Sequence, residues 1–237
     1  AEEGWHEDAT SICYRSGSVR GYLEMHIEQG RVLESRNQPA CAVSSIAGQT
    51  RLAVTLKGRA DHAGTTPMAM RRDALTGAAE CILAAETLAR ESEEAVITVG
   101  KISVEPGASN SVPDLAEFTV DLRHSNDKRR KCLADQLHRE RCKIAEERGL
   151  ELGWCLVQQS SATPCDADLT HELMRSVHAV TGSRDTLVSG AGHDGVALAS
   201  IMPIAMLFVR SQAGISHHPA EYPSPADIQK GIEILTH

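Results

Sequence analysis

Residues 115–158 read LAEFTVDLRHSNDKRRKCLADQLHRERCKIAEERGLELGWCLVQ. Within Leu115–Leu122, Ala116, Phe118, Val120 and Leu122 alternate with Leu115, Glu117, Thr119 and Asp121. That two-residue period belongs to a strand with one apolar face. Asn126 to Arg148 is densely charged, with a narrow apolar stripe at Leu133, Leu137 and Ile144, and Gly149 follows. This is a helix with a glycine stop. Leu150 to Gln158 returns to a strand pattern.

Working outward, Arg51–Gly58 (RLAVTLKG) alternates as a half-buried strand. Asp73–Arg90 places Leu75, Ala78, Ala79, Ile82 and Ala89 on one expected helical face, and Ala95–Val104 is rich in Val and Ile and reads as one strand. The order is β-α-β-β-α-β, the ferredoxin-like unit with two helices on one face of an antiparallel sheet. The flanks differ: Thr170–Thr181 and Asp194–Ser200 read as helices, and Ile204–Val209 as a buried strand. The expected architecture is α/β. Residues 1–44 and 161–237 form one discontinuous α/β domain, and residues 45–160 form the inserted ferredoxin-like domain.

Composition narrows the function classes. The 237 residues carry a formal net charge of -8, with 41% apolar and 24% charged side chains. Such a chain can bury a core and repels phosphate backbones, so no nucleic-acid partner is expected. The basic run KRRK at 128–131 is read as a solvated helix face, since acidic residues follow closely. No apolar run is long enough to span a membrane, so no membrane partner is expected. The chain opens Ala-Glu-Glu-Gly-Trp, without Met and without a secretory leader, which reads as a trimmed or truncated start. Seven cysteines with no C-x-x-C pair argue against a disulfide framework or a cysteine zinc site, and a reducing cytoplasm is the expected compartment.

Eleven histidines stand out. His26 lies in LEMHIEQG, His62 in DHAGTTPM, His193 in SGAGHDG, and His217 and His218 in GISHHPAEY. Neutral imidazole is a common ligand for divalent metals, but no H-E-x-x-H or Cys/His spacing is present. Taken together, HIEQG, DHAGTTPM, the S-x-N-S-V-P and D-L-R pair, GAGHD and GISHHPAEY occur in one order from about Tyr22 to the C-terminus. This set resembles the allantoate amidohydrolase and N-carbamoyl-L-amino-acid hydrolase family, within the aminoacylase and carboxypeptidase-G-like dinuclear metallohydrolases. The chain is expected to be its C-terminal two-thirds.

The resemblance implies roles. His26 and His217 each ligate one of two divalent metals, Zn or Mn, and His218 is solvent-exposed. Gln29 contacts substrate. His62 is the catalytic lid histidine that reaches into the partner subunit of a homodimer and steadies an oxyanion. Asn110 and Arg123 bind substrate from the lid, and Gly192 and His193 contact its amide group. Residue chemistry alone leaves alternatives open. Arg123 offers a planar fork to a carboxylate, or forms a surface ion pair with Asp121 or Asp127. Asn110 also suits an ordinary turn, and His62 a neutral surface histidine.

The implied reaction uses two metals about 3.5–4 Å apart to activate a bridging water. A carboxylate takes its proton, hydroxide attacks the ureido carbonyl, and collapse of the oxyanion expels ammonia and then carbon dioxide. The substrate is a small carboxylate-bearing ureido compound. The family's site also requires an upstream His, a bridging Asp and a Glu-Glu pair, which nothing in residues 1–25 matches. The chain by itself is therefore expected to hold metal at most partially and to be inactive. The competing expectations are an inactive chain serving only as a dimerisation module, and an aminoacylase or peptidase of the same larger group.

Overall fold

A computed structural model describes residues 17–237. Cys13, the opening pentapeptide and the start of the 1–44 segment lie outside the described residues. The chain divides into two compact units, one running up to Ile46 and resuming over Thr163–His237, the other Ala47–Ala162. The first unit begins with β1 (Tyr22–Ile27), the one-turn helix α1 (Val32–Ser35) and β2 (Ala40–Ile46). The second contributes β3 (Gly48–Lys57), β4 (Asp61–His62), α2 (Ala74–Arg90), β5 (Val96–Thr98), β6 (Ile102–Glu105), β7 (Ser111–Val112), β8 (Leu115–His124), α3 (Asp127–Arg148) and β9 (Glu151–Ser160). The first unit resumes with β10 (Thr163–Pro164), α4 (Ala167–Thr181), β11 (Thr186–Ser189), α5 (Asp194–Leu198), β12 (Ile204–Val209) and α6 (Pro225–Thr236).

In the second unit an antiparallel sheet runs β5-β8-β3-β9, with β6 continuing the β5 edge along β8. Alternation on β8 holds as read: Ala116, Phe118, Val120 and Leu122 are buried. With Leu52, Val54 and Leu56 of β3 they form the face on which α2 and α3 pack. Helix α3 is bounded by side-chain chemistry. The Asn126 carboxamide oxygen accepts the N–H groups of Lys128 and Arg129, and Gly149 closes the helix at φ 62°, a left-handed cap that glycine adopts without strain.

Two expectations need correction. Helix α2 does not bury Leu75, which is 40% exposed; its buried stripe is Ala74, Gly77, Ala78, Cys81 and Ala85. Close approach selects these small residues, since a Cβ at Gly77 would lie 2.4 Å from Leu150 Cδ1. Residues 95–104 are not one strand but two, β5 and β6, interrupted around Gly100.

In the first unit the described sheet runs β1-β12-β2-β10, with β11 also beside β2. Strand β12 is parallel to β1 and antiparallel to β2. All six residues of β12 are buried, as a strand covered on both faces requires. Ile204, Met206 and Phe208 pack with Leu33, Cys41, Val43 and Ile46 on one side, and Ala205 and Leu207 pack with Leu173, Val177 and Ile234 of α4 and α6 on the other. No helix among the described residues is long and apolar enough to cross a membrane.

Candidate active site

The motif loops of the first unit gather at the C-terminal end of β1. His26 is the penultimate residue of β1 and pairs in register with Phe208. Its Nδ1 lies 2.9 Å from the Ile27 carbonyl oxygen. A carbonyl only accepts, so Nδ1 carries the proton and Nε2 keeps its lone pair. The Glu28 carboxylate accepts the N–H groups of Val32 and Leu33 at 2.7 and 2.9 Å, which ties the HIEQG turn to the start of α1.

The GISHH loop is fastened to this turn. Gln29 Nε2 donates to Ser216 Oγ at 2.7 Å, Arg31 Nε donates to the Ala213 carbonyl at 2.7 Å, and Ala213 N–H donates to Glu34 Oε1 at 3.1 Å. Gly214 (φ 61°) packs so closely that an added Cβ would lie 2.6 Å from the Gly30 carbonyl carbon and oxygen. Gln29, Ala213 and His217 adopt φ of 58°, 55° and 56°. Non-glycine residues in this left-handed region cost roughly 1 kcal/mol or more each, and such strain concentrates at functional loops. His217 is exposed and its N–H donates to Glu221 Oε2. His218 is exposed too, with Nδ1 accepting from Ala220 N–H.

His193 sits beside His26 with ring centroids 4.7 Å apart and edge-on at 74°. Its side chain is only 1% exposed, Nε2 lies 2.6 Å from Ser189 Oγ, and Nδ1 faces Glu24 Oε1 at 3.6 Å. Burial, and then the neighbouring His26, push this imidazole below its ordinary range. Gly192 is exposed in the loop just before it.

In the second unit, two sequence-distant motifs meet. Strand β4 pairs with β7, placing His62 opposite Ser111, and Ala63 N–H donates to the Asn110 carbonyl at 2.9 Å. His62 Nδ1 accepts the Gly64 N–H at 3.0 Å, so a neutral His62 carries its proton on Nε2, on an exposed ring. Arg123 is not part of this pair. It is aligned with Gln49 at one end of the β3–β8 ladder, whereas the β4–β7 hairpin lies beyond the other end, where Lys57 meets Leu115 and Gly58 N–H bonds the Asp114 carbonyl. At about 3.3 Å per residue, Leu115 and Arg123 are ~26 Å apart.

Arg123 directs Nε and Nη2 to the two oxygens of Asp121 at 2.9 and 2.8 Å, the ion pair that residue chemistry had left open. Burial alone would raise the Asp121 carboxyl, but hydrogen bonds from Arg123, Gln49 and Arg51 outweigh it and hold it at about 2. A depressed carboxyl contributes stability above its unfolded value of 3.8, lost as pH falls toward 2. For this side chain, 24% exposed, the contribution is about 2 kcal/mol. Urea midpoints measured from pH 6 to 2 should therefore fall less steeply in Asp121→Asn than in the parent, and identical slopes would remove this linkage.

A metal needs convergent donors, and among the described residues no group of three or more His, Cys, Asp or Glu side chains could hold one. His26 and His217 alone do not fit a dinuclear centre. A family model, "Peptidase family M20/M25/M40", matches residues 1–237. The chain belongs to this family. Among the M20 relatives, the N-carbamoyl-L-amino-acid amidohydrolase of Pseudomonas sp. is 41% identical over 223 residues, covering 92% of this chain and 53% of that protein. The allantoate deiminase of Arabidopsis thaliana is 38% identical over 257 residues, covering 97% and 49%. The crystal structure of a hydantoinase/carbamoylase family amidase from Burkholderia multivorans superposes with a TM-score of 0.87 at 33% identity, covering 91% and 53%. The chain spans about half the length of these M20 relatives, less than the two-thirds expected from its motifs.

Within this M20 chain, the residues named from the motifs fall into two groups, His26, Gln29, Gly192, His193 and His217 in one unit and His62, Asn110 and Arg123 in the other. Glu24, Ser189 and Ser216, which bond to or face residues of the first group, were given no role. Glu24 is two residues before His26, hence on the same strand face, and that spacing was the available signal.

Proposed function

We propose that this chain belongs to a metal-dependent amidohydrolase that cleaves the ureido C–N bond of allantoate or an N-carbamoyl-L-amino acid, releasing ammonia and carbon dioxide. The similarity to a named carbamoyl-amino-acid amidohydrolase and to a named allantoate deiminase supports the ureido class over the aminoacylase and peptidase reading. The unit Ala47–Ala162 is read as the inserted ferredoxin-like lid, a reading that its two long helices α2 and α3 and its β5-β8-β3-β9 sheet order support.

In this reading Arg123 orients the substrate carboxylate through its planar fork, while Asp121 fixes the guanidinium plane. His62 Nε2–H and Asn110 donate to the ureido oxygen as it gains charge, and Gln29, Gly192 and His193 border the site. The two Zn or Mn ions implied by the resemblance need donors beyond those described, so the chain by itself is read as catalytically incomplete.

The observation that carries the assembly is the separation of His62 and Asn110 from Arg123 along β8. The ~26 Å of β8 between Arg123 and Leu115, the end beside the β4–β7 hairpin, is longer than a small substrate, which supports a site that takes one set from each of two copies. The homodimer is further supported by β9. Among the described strands it pairs only with β3, and it leaves Trp154, Leu156 and Val157 exposed.

Complementation tests this in an enzyme that carries the chain together with the remaining family length. His62→Ala and Arg123→Ala variants, each nearly inactive toward N-carbamoyl amino acids and allantoate, should regain about a quarter of parental activity when mixed and reassembled. Half the random dimers are mixed, and each of those has one intact site of two. No recovery in verified mixed dimers would refute the shared site. No ureido turnover by the parent would refute the activity.

A further inference from the structure

Two polar groups around His193 have no assigned role. Ser189, fully buried at the end of β11, has its Oγ 2.6 Å from His193 Nε2, and it also accepts the Ala191 N–H at 3.2 Å. Glu24, 10% exposed on β1, accepts the Gly195 N–H on Oε2 at 3.0 Å and turns Oε1 toward His193 Nδ1 at 3.6 Å. Nδ1 is buried and makes no hydrogen bond. Its nearest acidic oxygen is that of Glu24. Phe208 stands behind the ring at 5.9 Å, and His26 meets it edge-on.

We propose that Glu24 and Ser189 are positioning residues that hold His193 in its Nδ1–H tautomer and, through it, fix the ring of His26. The polarity of the carboxylate that faces Nδ1 favours this arrangement. An ionised carboxylate only accepts, so a lone pair on Nδ1 would be repelled by Glu24, whereas an N–H there is attracted. With the proton on Nδ1, Nε2 is the acceptor, and the Ser189 hydroxyl turns to it at 2.6 Å in preference to the Ala191 carbonyl oxygen at 3.3 Å. Nε2 of His193 is then bonded to Ser189 and Nδ1–H faces Glu24, and the imidazole serves as a wall.

That wall acts on His26, whose Nδ1–H is directed to the Ile27 carbonyl. With its ring rotation blocked by His193, His26 keeps Nε2 directed away from its own strand. An orienting partner behind a ligand histidine typically matters by 10–100-fold in metal affinity or activity. The catalytic consequence rests on the reading of His26 as a ligand. The tautomer does not.

The test is nitrogen-15 NMR of the histidine rings in the metal-free chain, comparing parent, Glu24→Gln and Ser189→Ala, with backbone spectra as folding controls. The parent His193 should show a protonated Nδ1 and an unprotonated Nε2. In Glu24→Gln the side-chain oxygen can still accept from Gly195, but its NH2 group then confronts Nδ1, and the Nε2–H tautomer should predominate. Ser189→Ala, the milder change, should make the second tautomer detectable, and Ser189→Thr should restore the first. A parent His193 protonated on Nε2, or tautomer populations unmoved in folded Glu24→Gln, would overturn the proposal. In an active family-length enzyme, Glu24→Gln should lower kcat about 10–100-fold with little change in KM. A shifted tautomer with unaltered kcat would leave the positioning intact and remove the role given to His26.

Discussion

His62→Ala, made in an active family-length enzyme carrying this chain, should lower kcat about 100–1000-fold, the usual cost of removing one oxyanion donor. The geometry behind the expectation is local and specific. Gly64 N–H occupies His62 Nδ1, which leaves a donor at Nε2 on an exposed ring. An added Cβ at Gly64 would lie 3.3 Å from His62 Cε1, so the small residue lets the loop close on the imidazole. The β4–β7 pairing fixes the same loop to the Asn110 segment. Initial rates against ureido substrates are the measurement, with dimer content checked by sedimentation. A change below threefold, in a variant that still dimerises, would make His62 a bystander on the surface.

Gly214→Ala should damage both stability and activity, although it adds one methyl group. The new Cβ would meet the Gly30 backbone at 2.6 Å, and φ of 61° is unfavourable for any residue with a Cβ. Overpacking against backbone and the left-handed conformation together should cost about 2–4 kcal/mol. The loop must retreat from the HIEQG turn, which loosens the Gln29–Ser216 bond and moves His217 relative to His26. A displacement near 1 Å at a reacting centre can lower the rate on the order of 100-fold. Urea unfolding and kcat, measured on one preparation, check both parts. Unchanged stability would show that the two loops are not fastened as described.

Legibility varied with the kind of interaction involved. Strand β8 was readable because one of its faces is buried and the other is not, so the pattern is written in every second residue. Strand β12 was readable as a continuous apolar run, because helices cover both faces of its sheet. Helix α2 misled because Leu75 looks like a core residue. The sheet instead selected alanine, glycine and cysteine for closeness, and hydrophobicity does not record closeness. The break between β5 and β6 was likewise hidden inside a stretch of uniformly good strand formers.

Sequence by itself determined the long strands and helices of the second unit, the glycine stop at Gly149, and the motif set that marks the family, because each depends on residues near one another in the chain. Tertiary structure decided which motifs meet. It joined HIEQG to GISHH through Gln29, Ser216 and Gly214, and DHAGTTPM to the Asn110 loop through β4 and β7. It placed Arg123 at the far end of β8, where Asp121 holds its fork. It also enclosed His193 between Glu24 and Ser189. These juxtapositions come from strand register and loop packing between segments up to 187 positions apart, and no local periodicity encodes a partner at that distance.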